Sequence, residues 1–196
     1  MKTKCPICNS TKEKEIWHDK VWGGSNKDKF LHCINCDIVF LYPFPNIKDV
    51  SKFYKINFGT YMEGRSPEIN WKDLKKQYKN LYKREIPLRS VYLDKYLKSG
   101  NVCDVGCSTG FTLDYIISKK KIKTYGVEPS IEHQKIINKK HIIFNDLNET
   151  QIKFDNILHY YVLEHVYDPI LFLKNCLLKL KKNGRMIFEI PNRNDA

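Results

Sequence analysis

The sequence has no uninterrupted apolar run of bilayer-spanning length, which excludes a transmembrane helix as its organising element. Its opening stretch, MKTKCPICNSTKEKE, carries basic residues with no apolar segment behind them. No secretory signal is read there, no membrane partner is expected, and a cytoplasmic location follows as the expectation. No internal repeat is found, which removes repeat architectures. Acidic residues are the minority charge, 22 against 34 Lys and Arg, leaving a formal net charge of +12. Such a surplus invites a nucleic-acid partner, because clustered cations neutralise phosphates. Here the lysines are spread along the chain among many Ile and Asn, so a compositional bias carried on solvated faces accounts for the charge better.

What is present fits a soluble globular protein. Hydrophobic residues make up 42% and charged residues 29% of 196, enough to bury one ordinary core with a small satellite module beside it. The seven cysteines are odd in number, and four fall in two CxxC pairs, Cys5-Pro6-Ile7-Cys8 and Cys33-Ile34-Asn35-Cys36. Metal ligation in a reducing compartment fits this better than disulfides. Residues 9 to 32 suffice for a hairpin between the pairs, so Cys5, Cys8, Cys33 and Cys36 are the expected ligands of a structural Zn²⁺, with His32 and His18 as substitutes. Four protein ligands leave no open position, so such a metal holds the fold together and does no chemistry. Cys103, Cys107 and Cys176 remain as spare thiols.

Three segments are expected: a zinc-ribbon module at 1–45, a helical linker or lid at 46–100, and an α/β domain at 101–196. The first carries hairpin chemistry, with a Gly23-Gly24 turn and the apolar stretch Cys36-Asp37-Ile38-Val39-Phe40-Leu41. Pro43 and Pro45 end it, and Asn46 can cap a helix through Val50, Phe53 and Tyr54. Gly59, Gly64 and Pro67 argue for a loop between Phe58 and Pro67. From Trp71 onward Leu74, Tyr78, Leu81 and Tyr82 recur at helical spacing, Pro87 is expected to kink or split that helix, and a second one through Val91, Leu93, Tyr96 and Leu97 ends at Gly100. Beyond it, apolar runs alternate with helical ones, the pattern of βα units on a parallel sheet. Strands are expected at 101–105, 123–128, 141–144, 155–160 and 185–190, with helices near 110–119, 131–138 and 169–181, the last stopped by Asn183-Gly184.

Val102-Cys103-Asp104-Val105-Gly106-Cys107-Ser108-Thr109-Gly110 reads as a buried strand running through a glycine turn into a helix, a cradle for a cofactor. Counted from Gly106, the dinucleotide pattern G-x-G-x-x-G meets Ser108 and Phe111 where glycines belong, so a pyrophosphate approaching the backbone would meet side chains. What remains, Asp104-x-Gly106-x-x-x-Gly110, resembles the first motif of class I S-adenosylmethionine-dependent methyltransferases. Gly106 and Gly110, with Cys107 and Ser108 between them, allow close backbone approach, and free amides at the helix start can meet the methionine carboxylate. Asp104 would complement the cofactor's ammonium, directly or through water. Glu128, in Tyr125-Gly126-Val127-Glu128-Pro129, stands at the end of the second strand, where a carboxylate can accept both ribose hydroxyls.

The resemblance implies further roles. Asp146 would face the adenine amino group and Leu147 the ring, with Asn148-Glu149 as a slipped alternative. The run Tyr160-Tyr161-Val162-Leu163-Glu164-His165-Val166-Tyr167-Asp168-Pro169 resembles the family's fourth-strand segment, which puts Tyr160 near the methionine portion and Glu164 and His165 at the acceptor mouth. His165 could take a proton from the acceptor, with Glu164 orienting it or sharing the task, or the pair could hold the helix start. Leu180 to Asn192 resembles the fifth strand, and a complete sheet of this family adds two more. The sheet is therefore expected to lack its last strands, leaving an open edge through which a homo- or hetero-oligomer could form. Cys33 to Pro43 with Phe53-Tyr54 is similar to the ribbon module of sugar C-methyltransferases, where an aromatic-rich segment folds over the cofactor; Tyr54, Phe58 and Tyr61 are the candidates for it. The resemblance implies a methyltransferase with a small-molecule acceptor such as a nucleotide-linked sugar. An RNA methyltransferase and a non-catalytic cofactor-binding scaffold that needs a partner chain are the alternatives.

Overall fold

The computed structural model describes residues 2–21, 24–44, 46, 48, 50, 53, 58–119 and 121–192. The chain divides into two compact units, Met1–Phe53 with Asn192–Ala196, and Tyr54–Pro191. No described helix is long and apolar enough to cross a membrane.

The smaller unit is a three-stranded antiparallel sheet in the order β1 (Glu15–His18), β2 (Lys29–Cys33), β3 (Ile38–Tyr42). Alternation along β2 turns Leu31 and Cys33 inward, where they bury with Cys5 and Phe40. Gly23 of the expected turn lies outside the described residues. So does Tyr54 of the expected Asn46-capped helix, of which the described part includes a Val50 N–H bond to the Asn46 carbonyl at 3.1 Å.

The larger unit is an α/β fold. Five strands, β4 (Gly100–Val105), β5 (Ile122–Val127), β6 (Ile142–Phe144), β7 (Phe154–Tyr160) and β8 (Leu180–Glu189), form a parallel sheet in the order β6-β5-β4-β7-β8. Among the described residues five helices accompany it: α1 (Phe58–Arg65), α2 (Leu74–Tyr96), α3 (Phe111–Ile117), α4 (Ile131–Ile136) and α5 (Pro169–Lys179). Each face of the sheet has its own core because strand side chains alternate. Cys103, Val105, Tyr125, Val127 and Ile157 pack with Cys176 of α5 on one face. Val102 and Leu158 pack with Leu93 of α2 and Leu113 and Ile116 of α3 on the other. Helix starts are capped by side chains: Asp73 accepts from the N–H of Lys75 and Lys76, Ser130 from that of His133, and Asp168 from that of Leu171.

Three expectations are corrected. The Phe58 to Pro67 stretch is helical through Arg65 and closed by a Ser66 N–H bond to the Met62 carbonyl at 2.7 Å. Its two glycines sit in the first and last turns, where their cost is smallest, and Pro67 then stops it. Pro87 does not split α2, which runs unbroken from Leu74 to Tyr96. The proline sits on the exposed face, so the Lys83 carbonyl it leaves unbonded faces water, while Leu81, Ile86 and Leu93 anchor both halves in the core. The strands that follow α2 and α5 also begin earlier than expected. Tyr96 ends α2 and Gly100 opens β4, whereas α5 ends at Lys179 because Leu180 already pairs with Phe154. Asn183, in the left-handed region at φ 66°, lies in a bulged stretch of β8 rather than at the helix stop.

Candidate functional site

Strand order reverses at β4: the chain leaves it toward β5 and β6 on one side and later returns on the other as β7 and β8. In an open parallel sheet, the carboxyl ends of the strands flanking such a reversal form a crevice, where ligands bind. Asp104, Gly106 and Tyr160 lie at those ends of β4 and β7, and Glu128 follows β5.

After β4 the backbone turns sharply. Gly106 and Gly110 adopt φ of 75° and 78°, and Ser108 between them 49°. A Cβ on Gly106 would come within 2.5 Å of Val162 Cγ2, so only glycine fits there. Cys107 is buried against Gly126, and Gly110 caps α3. Three amides of the turn tie it to the end of β5. The N–H groups of Gly106 and Cys107 donate to the Val127 carbonyl at 2.8 and 3.1 Å, and Ser108 N–H donates to Glu128 Oε2 at 2.9 Å. Glu128 Oε1 accepts from Ser130 N–H at 2.8 Å. Burial pushes the Glu128 carboxyl upward in pKa against these two amide bonds. Pro129, exposed, joins it to the Ser130 cap of α4.

Asp104 is 2% exposed, and its Oδ1 accepts no hydrogen bond among the described residues. Burial pushes its carboxyl up to about 7, opposed by the charge of Arg89 and assisted by that of Glu128. The Tyr160 hydroxyl is likewise buried without a partner, and burial, with the charge of Asp104, raises it. The Arg89 guanidinium lies 4.0 Å from the Tyr160 ring centroid. It also bonds Thr112 Oγ1 at 3.1 Å and pairs with Glu85 at 3.5 Å and Glu189 at 3.3 Å. The structure thus brings Asp104, Glu128, Tyr160 and Arg89 into one electrostatic neighbourhood.

Asp146 is exposed and accepts from Asn148 N–H at 2.7 Å, capping the turn Leu147–Glu149, while Leu147 is buried in the core beside Tyr125 and Val127. Glu149 folds back onto Asn145, accepting from its N–H at 2.9 Å. Glu164 and His165 share the single turn Leu163–His165, with His165 Nε2 3.7 Å from Glu164 Oε1. The His165 side chain keeps 41% of its surface, yet burial of the rest, with the Arg65 charge, lowers its pKa to about 4. Burial raises that of Glu164. Beside them Tyr161 sits at φ 54°, costly for a bulky residue, and donates from its hydroxyl to Glu189 Oε1 at 2.9 Å.

Sequence reasoning missed Arg89, Glu85, Glu189 and Tyr161. A signal existed: Leu81, Glu85, Arg89 and Leu93 follow one another at i, i+4, so two opposite charges sit on the stripe that α2 buries.

In the smaller unit the four CxxC sulfurs lie within 4.8 Å of one another, Cys5 to Cys36 and Cys8 to Cys33 at 3.7 Å. A tetrahedron with metal–sulfur bonds of about 2.3 Å has edges of about 3.8 Å, so the cluster fits Zn²⁺. Asn35 Nδ2 donates to Cys8 Sγ at 3.4 Å. His32 is no substitute ligand: its ring nitrogens face Asp37 at 2.8 Å and Glu15 at 3.3 Å. His18 lies outside the cluster, on the exposed strand β1. The spare thiols Cys103, Cys107 and Cys176 are buried and unbridged.

The methyltransferase-domain family model matches residues 74–196. The chain belongs to this family. Its larger unit is a class I S-adenosylmethionine-dependent methyltransferase domain. A ubiquinone biosynthesis O-methyltransferase of Coxiella burnetii (strain Dugway 5J108-111) is 32% identical over 121 residues, covering 55% of this chain and 51% of that protein. A tRNA U34 carboxymethyltransferase of Sulfurovum sp. (strain NBC37-1) is 31% identical over 107 residues, covering 47% of this chain and 35% of that protein. Among solved structures, the plantazolicin methyltransferase BpumL, in complex with a pentazolic desmethylPZN analog and SAH, shares the fold with a TM-score of 0.54 at 18% identity. That match covers 74% of this chain and 58% of the other. The chain spans about half the length of the first of these relatives.

Proposed function

We propose that the chain binds S-adenosylmethionine at the β4 and β5 carboxyl ends and works as a methyltransferase on a small-molecule acceptor, of which a nucleotide-linked sugar is the example. One observation carries this reading: Asp104 Oδ1 is buried without a hydrogen bond beside a glycine turn that a side chain would fill, with Glu128 one strand away. A buried orphan carboxylate oxygen calls for a donor, and the cofactor's ammonium supplies one.

In this reading Gly106, Cys107, Ser108 and Gly110 bring backbone against the methionine portion. Tyr160 packs beside it, and Arg89 offers a cation to its carboxylate. Glu128, followed by Pro129, accepts from the ribose hydroxyls, while Asp146 and Leu147 line the adenine end. Bound there, the cofactor supplies an activated methyl on a sulfonium, and in-line positioning of the acceptor contributes most of the rate. Glu164 and His165 face the acceptor, His165 as proton acceptor and Glu164 as its orienting partner. Cys5, Cys8, Cys33 and Cys36 hold a structural Zn²⁺ in a ribbon module like that of sugar C-methyltransferases. Residues 1–45, 46–100 and 101–196 serve as ribbon, lid segment and cofactor domain.

Titration calorimetry with S-adenosylmethionine on wild type and Glu128→Ala tests the cofactor site. Saturable binding lost in the variant is expected; no binding by a folded wild type refutes the reading and favours a scaffold. The similarity to a tRNA-modifying enzyme, with the +12 charge, supports RNA as the second acceptor class. Tight, strongly salt-dependent RNA binding would select it, and no retention on RNA at low salt would sink it.

A further inference from the structure

Lysines that lie scattered along the sequence are gathered by the fold. In a parallel sheet every strand starts at the same end, so every connection from helix to strand arrives there. Lys139 and Lys140 precede β6, Lys121 precedes β5 and Lys98 precedes β4. Lys153 precedes β7, and Lys181 and Lys182 stand in the first residues of β8. All of these but Lys98 are exposed. Strand order sets the loops side by side from β6 to β8. Four strand spacings of about 4.8 Å make a cationic string about 19 Å long across the base of the sheet, the end opposite the crevice.

Little answers this charge. Among the described residues Asp94 pairs with Lys119, just past α3, and Asp155 pairs with Lys181 at 2.8 Å. Lys98 and Lys153 donate to the carbonyls of Asn183 and Leu178, and Lys179 to that of Thr150 at 2.6 Å. Those bonds fix the side chains without cancelling their charge. Lys121, Lys139, Lys140 and Lys182 have no carboxylate partner among the described residues. A cation at the carboxyl end of a helix complements its dipole, which accounts for Lys119 and Lys179, but the effect fades beyond the last turn and does not account for Lys121 or Lys182. Lys121 also holds a φ of 63°, in the left-handed region, where glycine or asparagine would stand at less cost. Like charges set side by side work against the compact state. A polyanion laid across them relieves that repulsion.

The opposite end of the sheet has the other sign. Asp104, Glu128, Asp146, Glu164, Asp168 and Glu189 all stand at or just beyond the carboxyl ends of the strands. Arg89, the buried cation there, is already met by Glu85 and Glu189. The domain is thus polarised along its strands, and a polyanion is drawn to the base and repelled from the crevice. The base string is one loop deep and follows the sheet, the shape of a phosphate backbone and not of a bilayer plane. Lysine ammoniums are point charges that answer phosphates without reading bases.

We infer that the base of the larger unit is a docking face for the phosphate backbone of RNA, held without reference to its base sequence. The face does not rest on the cofactor reading. The length of β7, Phe154–Tyr160, puts about 20 Å between it and the crevice.

Fluorescence anisotropy of the full chain with a labelled single-stranded RNA of about 20 nucleotides tests it. At about 3.4 Å of axis per phosphate the string faces about five phosphates, so affinity should fall about a hundredfold between about 50 and 200 mM salt. Lys140→Glu with Lys182→Glu, toward the two ends of the string, should weaken binding by about tenfold or more, with circular dichroism and S-adenosylmethionine calorimetry unchanged. Lys121→Asn, which suits the left-handed turn, should lower the salt slope by about 0.7. Lys75→Glu with Lys79→Glu, exposed on α2, changes net charge equally and should keep affinity within about threefold. No binding by wild type at about 50 mM salt overturns the proposal. So does a control pair that loses as much as the base pair, because net charge alone then governs. RNA that stays bound to the folded base variant, as an acceptor strand seated in the crevice would, overturns it as well. Binding to vesicles of phosphatidylglycerol and phosphatidylcholine without binding to RNA gives the base to a membrane surface instead.

Discussion

Replacing Asp104 by Asn should stabilise the cofactor-free protein while removing its cofactor affinity. The native carboxyl titrates near 7 because burial disfavours its charge, against an ordinary value of 3.8. The folded state therefore holds a proton that the unfolded state has released between those two values, and stability falls as pH rises through that window. A displacement of about three units corresponds to about 4 kcal/mol of destabilisation at about pH 8, shrinking to under about 2 kcal/mol by about pH 5. Asn carries no charge to desolvate but leaves its own amide unpaired in the same place, costing about 1–3 kcal/mol. The net expectation at about pH 8 is a gain of about 1–3 kcal/mol, or roughly 2–12 °C in Tm for a chain of this size. Paired melts of wild type and Asp104→Asn across this range, without cofactor, read the effect, and calorimetry reads the loss of S-adenosylmethionine binding. A variant no more stable than wild type at about pH 8, or a gap that ignores pH, would refute a buried, charge-strained Asp104.

Other outcomes follow from the same geometry. Gly106→Ala meets both a φ of 75° and the Val162 methyl 2.5 Å from the new Cβ, so chemical denaturation should show a loss of about 2–4 kcal/mol. His165→Ala should cut turnover with cofactor affinity intact. If His165 accepts the proton, the acidic limb of kcat should lie near 4 rather than at the ordinary 6.5, because burial holds the ring neutral down to that pH; near-normal turnover would return the residue to a structural role. Metal analysis should give about one zinc per chain. A chelator should then raise amide exchange at Leu31 and Cys33 of β2, and less than about half an equivalent in carefully purified protein would overturn the zinc assignment.

The elements that could be read in advance were those whose signal is local. Short β-branched runs and the Asp104-x-Gly106-x-x-x-Gly110 spacing reflect strand and turn geometry, and β4 to β7 begin and end within one or two residues of expectation. The CxxC pairs likewise announce four sulfurs close enough for one metal. The misread stretches were those where tertiary packing outweighs local preference. Pro87 is tolerated because the rest of α2 is anchored on the core, and the glycines of α1 because they fall at its ends. The Arg89 network was not read, since Glu85 and Arg89 sit 104 and 100 positions from Glu189 and only the sheet brings β8 beside α2.

The sequence by itself determined which residue types stand at the ends of the strands, because backbone conformation and side-chain chemistry are local properties. That is why the glycine turn after β4 and the four-cysteine cluster are legible from spacing. The tertiary structure alone decided the electrostatics. Whether Asp104 is strained, whether His165 is a strong or a weak base, and which carboxylates answer Arg89 depend on burial and on neighbours far away in the chain. Desolvation and Coulomb energies are set by distances in space, which no spacing in sequence encodes.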